Sequence, residues 1–396
     1  MSSEDPVVII GAARTPMGGL LGDFKDLPAP KLGAAAIAAA VARAGVGADS
    51  IQEVAMGCVL QAGQGQAPAR QAALGAGLPM SAGCTTINKI CGSGMKAVMV
   101  AHDQLLAGSA EIMVAGGMES MSNAPYLLDR ARSGYRMGHG KIIDSMFLDG
   151  IEDAYDRGRL MGTFAEDCAE AFQFTREQQD DYAVASLTRA RTAITDGSFA
   201  GEIVPVTVKA GKGEREVLHD EQPPKADLAK VRTLRAAFRE GGTVTAANSS
   251  SISDGAAALV VMRRSEAERR GLTPLAVIRG HATFADKPNL FPTAPVGAMR
   301  RLFERTGWSA KSVDLFEVNE AFAVVAMAAI HELNLSHDAV NIHGGACALG
   351  HPLGASGARL IVTLLAGLRK HGLRRGVASL CIGGGEATAM ALELIS

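Results

Sequence analysis

Ile90-Cys91-Gly92-Ser93-Gly94-Met95-Lys96 reads as a strand end, a cysteine, a glycine turn and the first turn of a helix. It has an echo in Gly354-Ala355-Ser356-Gly357-Ala358-Arg359, with Ser93-Gly94 opposite Ser356-Gly357 at an offset of 263 residues. Two other landmarks keep step: Gly33 with Gly297 (offset 264) and Ser50 with Ser312 (offset 262). A helical stretch from Leu32-Gly33 to Ala44-Gly45-Val46 matches one from Val296-Gly297 to Thr306-Gly307-Trp308. Each leads to a strand-like run, Val54-Ala55-Met56 and Leu315-Phe316-Glu317-Val318. Each half then closes on a helix, a charged turn and a β-rich run, Ile112–Gly117 and Val377–Gly385. A near-constant offset predicts a duplicated chain, and strands alternating with helices predict α/β layers.

The block 119–250 breaks this pattern. It is richer in Met, Arg, Asp and aromatic residues, and 176–196 reads as one helix closed by Asp196-Gly197. The division is therefore 1–118 for the first half, 119–250 for an inserted loop domain returning to that half near its end, and 251–396 for the second half. The insertion is expected to cover a substrate, to serve assembly, or both.

Composition narrows the function. The 396 residues are 47% hydrophobic, enough for a large core. Lys plus Arg number 39 against 41 Asp plus Glu, which gives no basic patch for nucleic acid as the main partner. The opening Met1–Pro6 lacks a signal peptide, Glu393–Ser396 is no peroxisomal address, and no apolar run is long enough to span a membrane. Cysteines 58, 84, 91, 168, 347 and 381 form no C-x-x-C pair and no metal-ligand spacing. They read as reduced thiols of a cytoplasmic enzyme. No G-x-G-x-x-G fingerprint points to NAD or ATP.

Cys91 has a counterpart in Cys381, which runs into Ile382-Gly383-Gly384-Gly385, and His351 stands in Gly350-His351-Pro352 between them. A thiol ahead of a glycine turn and a helix meets free backbone N–H groups, which favour the thiolate. Two such cysteines and a glycine-flanked histidine predict thiol-based acyl transfer. Cys58, Cys84, Cys168 and Cys347 read as small buried side chains.

Along nearly its whole length the chain resembles the thiolase family. The resemblance is carried by Gly11-Ala12-Ala13-Arg14-Thr15-Pro16, Gly116-Gly117-Met118-Glu119-Ser120-Met121-Ser122, Asn319-Glu320-Ala321-Phe322, Gly350-His351-Pro352 and Cys381-Ile382-Gly383-Gly384-Gly385. Ser120–Tyr126 and Phe291–Pro295 are most similar to the short-chain, acetoacetyl-CoA members. The resemblance implies an α/β, thiolase-like fold: two duplicated halves packed in αβαβα layers, with an inserted loop domain. It implies that Cys91 takes an acetyl group from acetyl-CoA, that His351 accepts its proton, and that Cys381 deprotonates a second acetyl-CoA. Acetoacetyl-CoA and CoA are then the products. His351 and a water held by Asn319 would serve the enolate oxygen, and the N–H groups of Cys91 and Gly383 the tetrahedral oxyanion. A side chain at Gly383 would crowd the acyl carbonyl.

Ser250 matches the serine that meets pantetheine, and Met161, Phe238, Ala246, Ala321 and Phe322 match apolar positions around the thioester. Leu160 stands where many bacterial members have His, and Phe291 where many have Met; a ring at 291 would shorten the acyl pocket, or tolerate a branched acetoacetyl group. Leu187 replaces a tyrosine of potassium-activated members, and His343 an asparagine. No permanently bound cofactor is implied; CoA thioesters are substrates, and a homodimer or homotetramer is expected. A broader 3-ketoacyl-CoA thiolase of fatty-acid degradation is the alternative. A ketoacyl synthase fits less well, because it usually has histidine where Cys381 stands.

Overall fold

The computed structural model describes residues 5–395. The opening residues 1–4, part of the stretch read as lacking a signal peptide, and Ser396 lie outside them. In the first half, strand β1 (Val7–Arg14) is followed by helix α1 (Ala29–Ala44) and strands β2 (Glu53–Gly57) and β3 (Gly83–Ile87). Helix α2 (Ser93–Ala107) and strand β4 (Ile112–Ser120) follow. The insertion contributes α3 (Met161–Phe172) and α4 (Arg176–Thr195), and the chain then enters β5 (Ser253–Arg263). The second half runs through β6 (Ala276–Ala285), α5 (Ala294–Thr306), β7 (Leu315–Val318) and α6 (Ala323–Leu333). It ends with α7 (Leu353–Lys370), β8 (Arg375–Ile382) and β9 (Glu386–Leu394).

The duplication shows in the strand order β7-β8-β9-β6-β1-β5-β4-β2-β3. β1 pairs antiparallel with β5 as β6 does with β9; β4 pairs parallel with β2 as β8 does with β7. Even the irregularities repeat, at Ile9/Gly11 in β1 and Ile278/Gly280 in β6. Among the described residues the strands of the two halves pair at Val8↔Val277 and Ile9↔Ala276.

Strict alternation explains the layers. In β5, Ala257, Leu259 and Val261 face inward onto α2 and α7, while Ala256, Ala258 and Val260 face outward onto the layer of α1. In β9, Met390 and Leu392 face the same central helices, and Ala389 and Ala391 face the layer of α5 and α6. Strands buried on both faces need apolar residues at every position. The five layers are thus α1, the first half's strands, α2 with α7, the second half's strands, and α5 with α6.

The echoing glycines lie where α2 and α7 cross. A Cβ on Gly94 would stand 2.8 Å from the Gly354 carbonyl oxygen, and one on Gly357 would stand 2.3 Å from the Met95 nitrogen. Their absence lets the two helix N-termini approach, which brings Cys91 and His351 together. Gly45 and Gly307 are left-handed caps ending α1 and α5 (φ 67 and 70).

One boundary moves. Residues from 251 onward read as second half, yet β5 sits between β1 and β4 and closes the first half as β9 closes the second. The second half therefore starts at β6. Buried Arg14 ties the insertion down: its guanidinium pairs with Glu202 and, through two nitrogens at 2.6 and 2.9 Å, with Asp220. The helix expected at 176–196 is α4, opened by a Thr175/Gln178 capping box.

Candidate active site

The N-terminus of α2, the N-terminal approach to α7 and the ends of β7 and β8 meet at one cavity of about 380 Å³. Cys91, His351, Cys381 and Gly383 all line it, with Leu160, Met161, Phe238, Ala246, Ser250, Phe291, Ala321 and Phe322. Every candidate catalytic and thioester position is on this wall except Asn319, which stands just behind it, its Nδ2 3.4 Å from Nε2 of His351; Leu187 and His343 lie elsewhere. The insertion supplies Leu160, Met161 and Phe238, and also Phe147 and Ile151, which nothing in the sequence had marked.

Cys91 is carried by a strained turn. Ile90 has φ 46, a left-handed conformation that a β-branched residue avoids at about 1–3 kcal/mol. Asn88 Oδ1 accepts the Ile90 N–H at 3.0 Å; Ser93 Oγ accepts the Lys89 N–H at 2.8 Å and donates to the Ile90 carbonyl at 2.6 Å. The opposing turn presses close, for a Cβ on Gly92 would meet Ile382 Cδ1 at 2.4 Å. A Cβ on Gly383 would instead make only ordinary contact, 3.5 Å from Met161 Sδ. The protein itself thus leaves room for a side chain at 383; any crowding there must come from a bound acyl group.

The N–H groups expected to favour the thiolate do act on Cys91, but desolvation outweighs them. Burial pushes the Cys91 thiol up to about 11. The N–H groups of Gly383 and of Cys91 itself pull against this, while the Glu119 charge adds to it. Burial also holds His351 down at about 3, helped by the charge of Arg359. Cys381, 1% exposed, is raised well above the ordinary thiol range by burial and by the neighbouring Cys91. Two N–H groups and a helix terminus do not offset desolvation of a sulfur in a largely apolar cavity. The site rests with two neutral thiols and a neutral imidazole.

The imidazole tautomer follows from its partners. Ser356 Oγ donates to the Pro352 carbonyl at 2.9 Å, so it accepts from Nδ1–H of His351 at 2.5 Å. This leaves Nε2 as the proton acceptor. Ser356 was a landmark of the duplication, and its role is visible only in three dimensions. Ser356→Ala is expected to lower kcat about tenfold with little change in KM for acetyl-CoA, because the wrong tautomer then competes. Steady-state kinetics on a variant with wild-type melting temperature checks this.

Buried acids fix the loops. Glu320 accepts from Tyr182 Oη (3.0 Å), Ser186 Oγ (2.7 Å), Asn341 Nδ2 (2.8 Å) and the Cys347 N–H (3.0 Å), locking Asn319 in place against α4. Glu119 accepts the N–H groups of Val59, Leu60 and Gly354 at 3.0, 3.1 and 2.8 Å, tying β4 to the first turn of α7. Burial raises Glu119 to about 7 despite these three bonds.

Away from the cavity, His102 Nδ1 and His281 Nε2 lie 3.0 and 2.9 Å from Asp103 Oδ1. Their potential ligand atoms lie within 4.8 Å of one another. The other ring nitrogen of His281, however, is buried without the partner that orients a metal-ligating histidine. The three side chains form a hydrogen-bonded cluster centred on Asp103.

Comparison with known proteins agrees with this geometry. The thiolase N-terminal domain family matches residues 7–265, and the thiolase C-terminal domain family matches 272–394, placing β5 with the first half. An Arabidopsis thaliana protein named acetyl-CoA acetyltransferase 2 is 53% identical over 393 residues, covering 98% of this chain and 97% of its own. The acetyl-CoA acetyltransferase of Cupriavidus necator is 47% identical, covering 98% and 99%. The crystal structure of the Bacillus anthracis acetyl-CoA acetyltransferase superposes with a TM-score of 0.96 at 39% identity, over the whole of both chains. Over its full length, in sequence and in fold, the chain belongs to the thiolase family.

Proposed function

We propose that this thiolase catalyses the reversible condensation of two acetyl-CoA into acetoacetyl-CoA and CoA through an acetyl thioester on Cys91. The observation that carries the reading is the meeting of Cys91, His351 and Cys381 in one apolar cavity. The relatives named acetyl-CoA acetyltransferase support the same substrate.

The neutral resting state fits a cycle in which each proton moves only when charge develops. Cys91 passes its proton to Nε2 of His351 as its sulfur attacks the acetyl carbonyl, and the N–H groups of Cys91 and Gly383 hold the oxyanion. The departing CoA thiolate takes its proton from Cys381. The Cys381 thiolate, made strongly basic by burial, then removes a methyl proton from the second acetyl-CoA. Protonated His351 and a water on Asn319 meet the enolate oxygen; among the described residues Asn319 Oδ1 has no protein partner, which leaves it free to hold such a water. The carbanion attacks the acyl carbonyl, and Cys91 leaves and recovers its proton from His351. No resident cofactor is needed, since every step moves a proton or an acyl group between these side chains and CoA thioesters.

Ser250, whose N–H donates to the Ala321 carbonyl at 2.9 Å, is proposed to face pantetheine, with Met161, Phe238, Ala246 and Phe322 around the thioester. Phe291 is proposed to limit the acyl chain. It is 2% exposed and packed edge-on against Phe164 at 6.1 Å, with the Arg159 guanidinium over the Phe164 ring at 3.9 Å. A ring so held cannot swing aside cheaply. CoA-dependent cleavage is therefore expected to be confined to C4 3-ketoacyl-CoA, with or without a 2-methyl branch. Equal or faster rates at C6 to C10 would move the chain to the broader degradative class.

Assembly as a homodimer or homotetramer is supported by two surfaces. The outermost strand β3 leaves one edge unpaired, and the insertion exposes Tyr126, Leu128, Met137 and Ile142. Six free cysteines support a reducing compartment, and we place the protein in the cytoplasm. No described helix is long and apolar enough to cross a membrane. A bovine relative, 47% identical over 98% of this chain and 91% of its own, is named as mitochondrial.

A further inference from the structure

Two turns from different halves face each other across the reacting sulfur, 89–92 and 383–385. The hydrogen bonds that shape the first, through Asn88 Oδ1 and Ser93, lie within its own stretch of chain, and Asn88 Nδ2 ties it to the Val59 carbonyl of the same half at 3.4 Å. They fix its shape and not its distance from Gly383. The second turn has three successive glycines, two of them left-handed (Gly384 φ 90, Gly385 φ 89), and β9 begins directly after it at Glu386. Glycines give a turn little stiffness of its own. The Asp286 N–H holds the Gly385 carbonyl at 2.9 Å from behind; across the gap, besides the Gly383 N–H on Cys91 itself, stand the packing of Gly92 on Ile382 and an ion pair from Lys89 Nζ to the Glu386 carboxylate. Among the described residues it is the only ion pair joining these two turns, and its side chains are 20% and 35% exposed.

We propose that Lys89 and Glu386 form a latch that sets the Gly383 N–H against Cys91. Both are positioning residues, for neither lines the cavity. The inference deepens the reading of Cys91 as acyl acceptor and rests on it. An oxyanion donor works only at hydrogen-bond distance from where the negative oxygen forms, and a displacement well under 1 Å weakens it severely. Residues flanking the turn on each side, one fixed by the strained Ile90 segment and one by β9, are well placed to hold that distance.

The test uses full-length Lys89→Met, Glu386→Gln and the charge-swapped double variant Lys89→Glu/Glu386→Lys. Four quantities are measured: single-turnover acetylation of Cys91 by acetyl-CoA, the steady-state KM for acetyl-CoA, alkylation of Cys91 by iodoacetamide, and melting temperature. Each single variant is expected to acetylate about tenfold more slowly, with KM for acetyl-CoA within about twofold and the melting temperature within about 3 °C. Alkylation forms no oxyanion and feels the Gly383 N–H only through the thiolate it needs, so it is expected to fall clearly less than acetylation, by about threefold at most. The swapped pair is expected to recover most of the acetylation rate. Wild-type acetylation rates in the single variants overturn the latch. So does an equal loss in alkylation, which would mean a collapsed turn, or a swapped pair no better than the singles. If the wild-type protein itself takes no acetyl group, the proposed function fails and the latch fails with it.

Discussion

Cys91→Ala is expected to lose both directions of the reaction, by at least about 10⁴-fold. The geometry leaves no substitute nucleophile. Cys381 is 1% exposed at the end of β8, and the N–H groups around the cavity converge on Cys91 rather than on it. Intact-mass analysis after exposure to acetyl-CoA should show one acetyl group on the wild-type chain and none on the variant. The resting protonation state adds a pH signature. With the Cys91 thiol raised to about 11, the thiolate fraction of the free protein grows with pH throughout the neutral and mildly alkaline range. Iodoacetamide alkylation of wild-type Cys91 is therefore expected to climb steadily from pH 7 to 10. A preformed thiolate–imidazolium pair would instead give a plateau through neutral pH. A plateau, or an acetylated Cys91→Ala chain, would contradict the neutral resting site.

How much of this was legible in the sequence depends on the kind of information each feature carries. The duplication could be read because glycines at a helix cap or a helix crossing tolerate no substitute, so Gly45 and Gly307, and Gly94 and Gly357, keep their spacing. Cys91, His351 and Cys381 could be read because reactive side chains beside glycine are rare by accident. The boundary at 250 was misread because β5, as an apolar strand, carries nothing to say which half it closes; only its pairing with β1 and β4 does. For a related reason the N–H groups that favour the Cys91 thiolate were legible and the desolvation that outweighs them was not. Helix termini and N–H groups can be inferred from a local motif, whereas desolvation is set by Phe291, Phe238, Leu353 and other wall residues distant in sequence. Strain at Ile90, the serine behind His351 and the reach of Phe147 and Ile151 into the cavity are likewise tertiary facts.

Cys381→Ala should separate the two half-reactions. Cys91, its two N–H partners and the Asn319–His351–Ser356 chain remain, so the variant should still gain an acetyl group at Cys91. Acetylation itself should slow, since the departing CoA loses its nearest proton donor, but it should run to one group per chain. Condensation should fall by about 10²–10⁴-fold, the usual contribution of a positioned general base. No other group in the cavity can replace it. His351 is already protonated at that stage and is needed on the enolate oxygen, and Glu119 is committed to the N–H groups of Val59, Leu60 and Gly354. The decisive readout is exchange of the methyl hydrogens of acetyl-CoA with deuterated solvent on the pre-acetylated protein, which reports carbanion formation without carbon–carbon bond formation. Exchange should be lost in Cys381→Ala together with acetoacetyl-CoA synthesis. Exchange at the wild-type rate would assign the base elsewhere and leave Cys381 a role only in shaping the cavity. Loss of synthesis with loss of Cys91 acetylation would show that the two thiols cannot be separated, and that the proton on Cys381 is required from the first step.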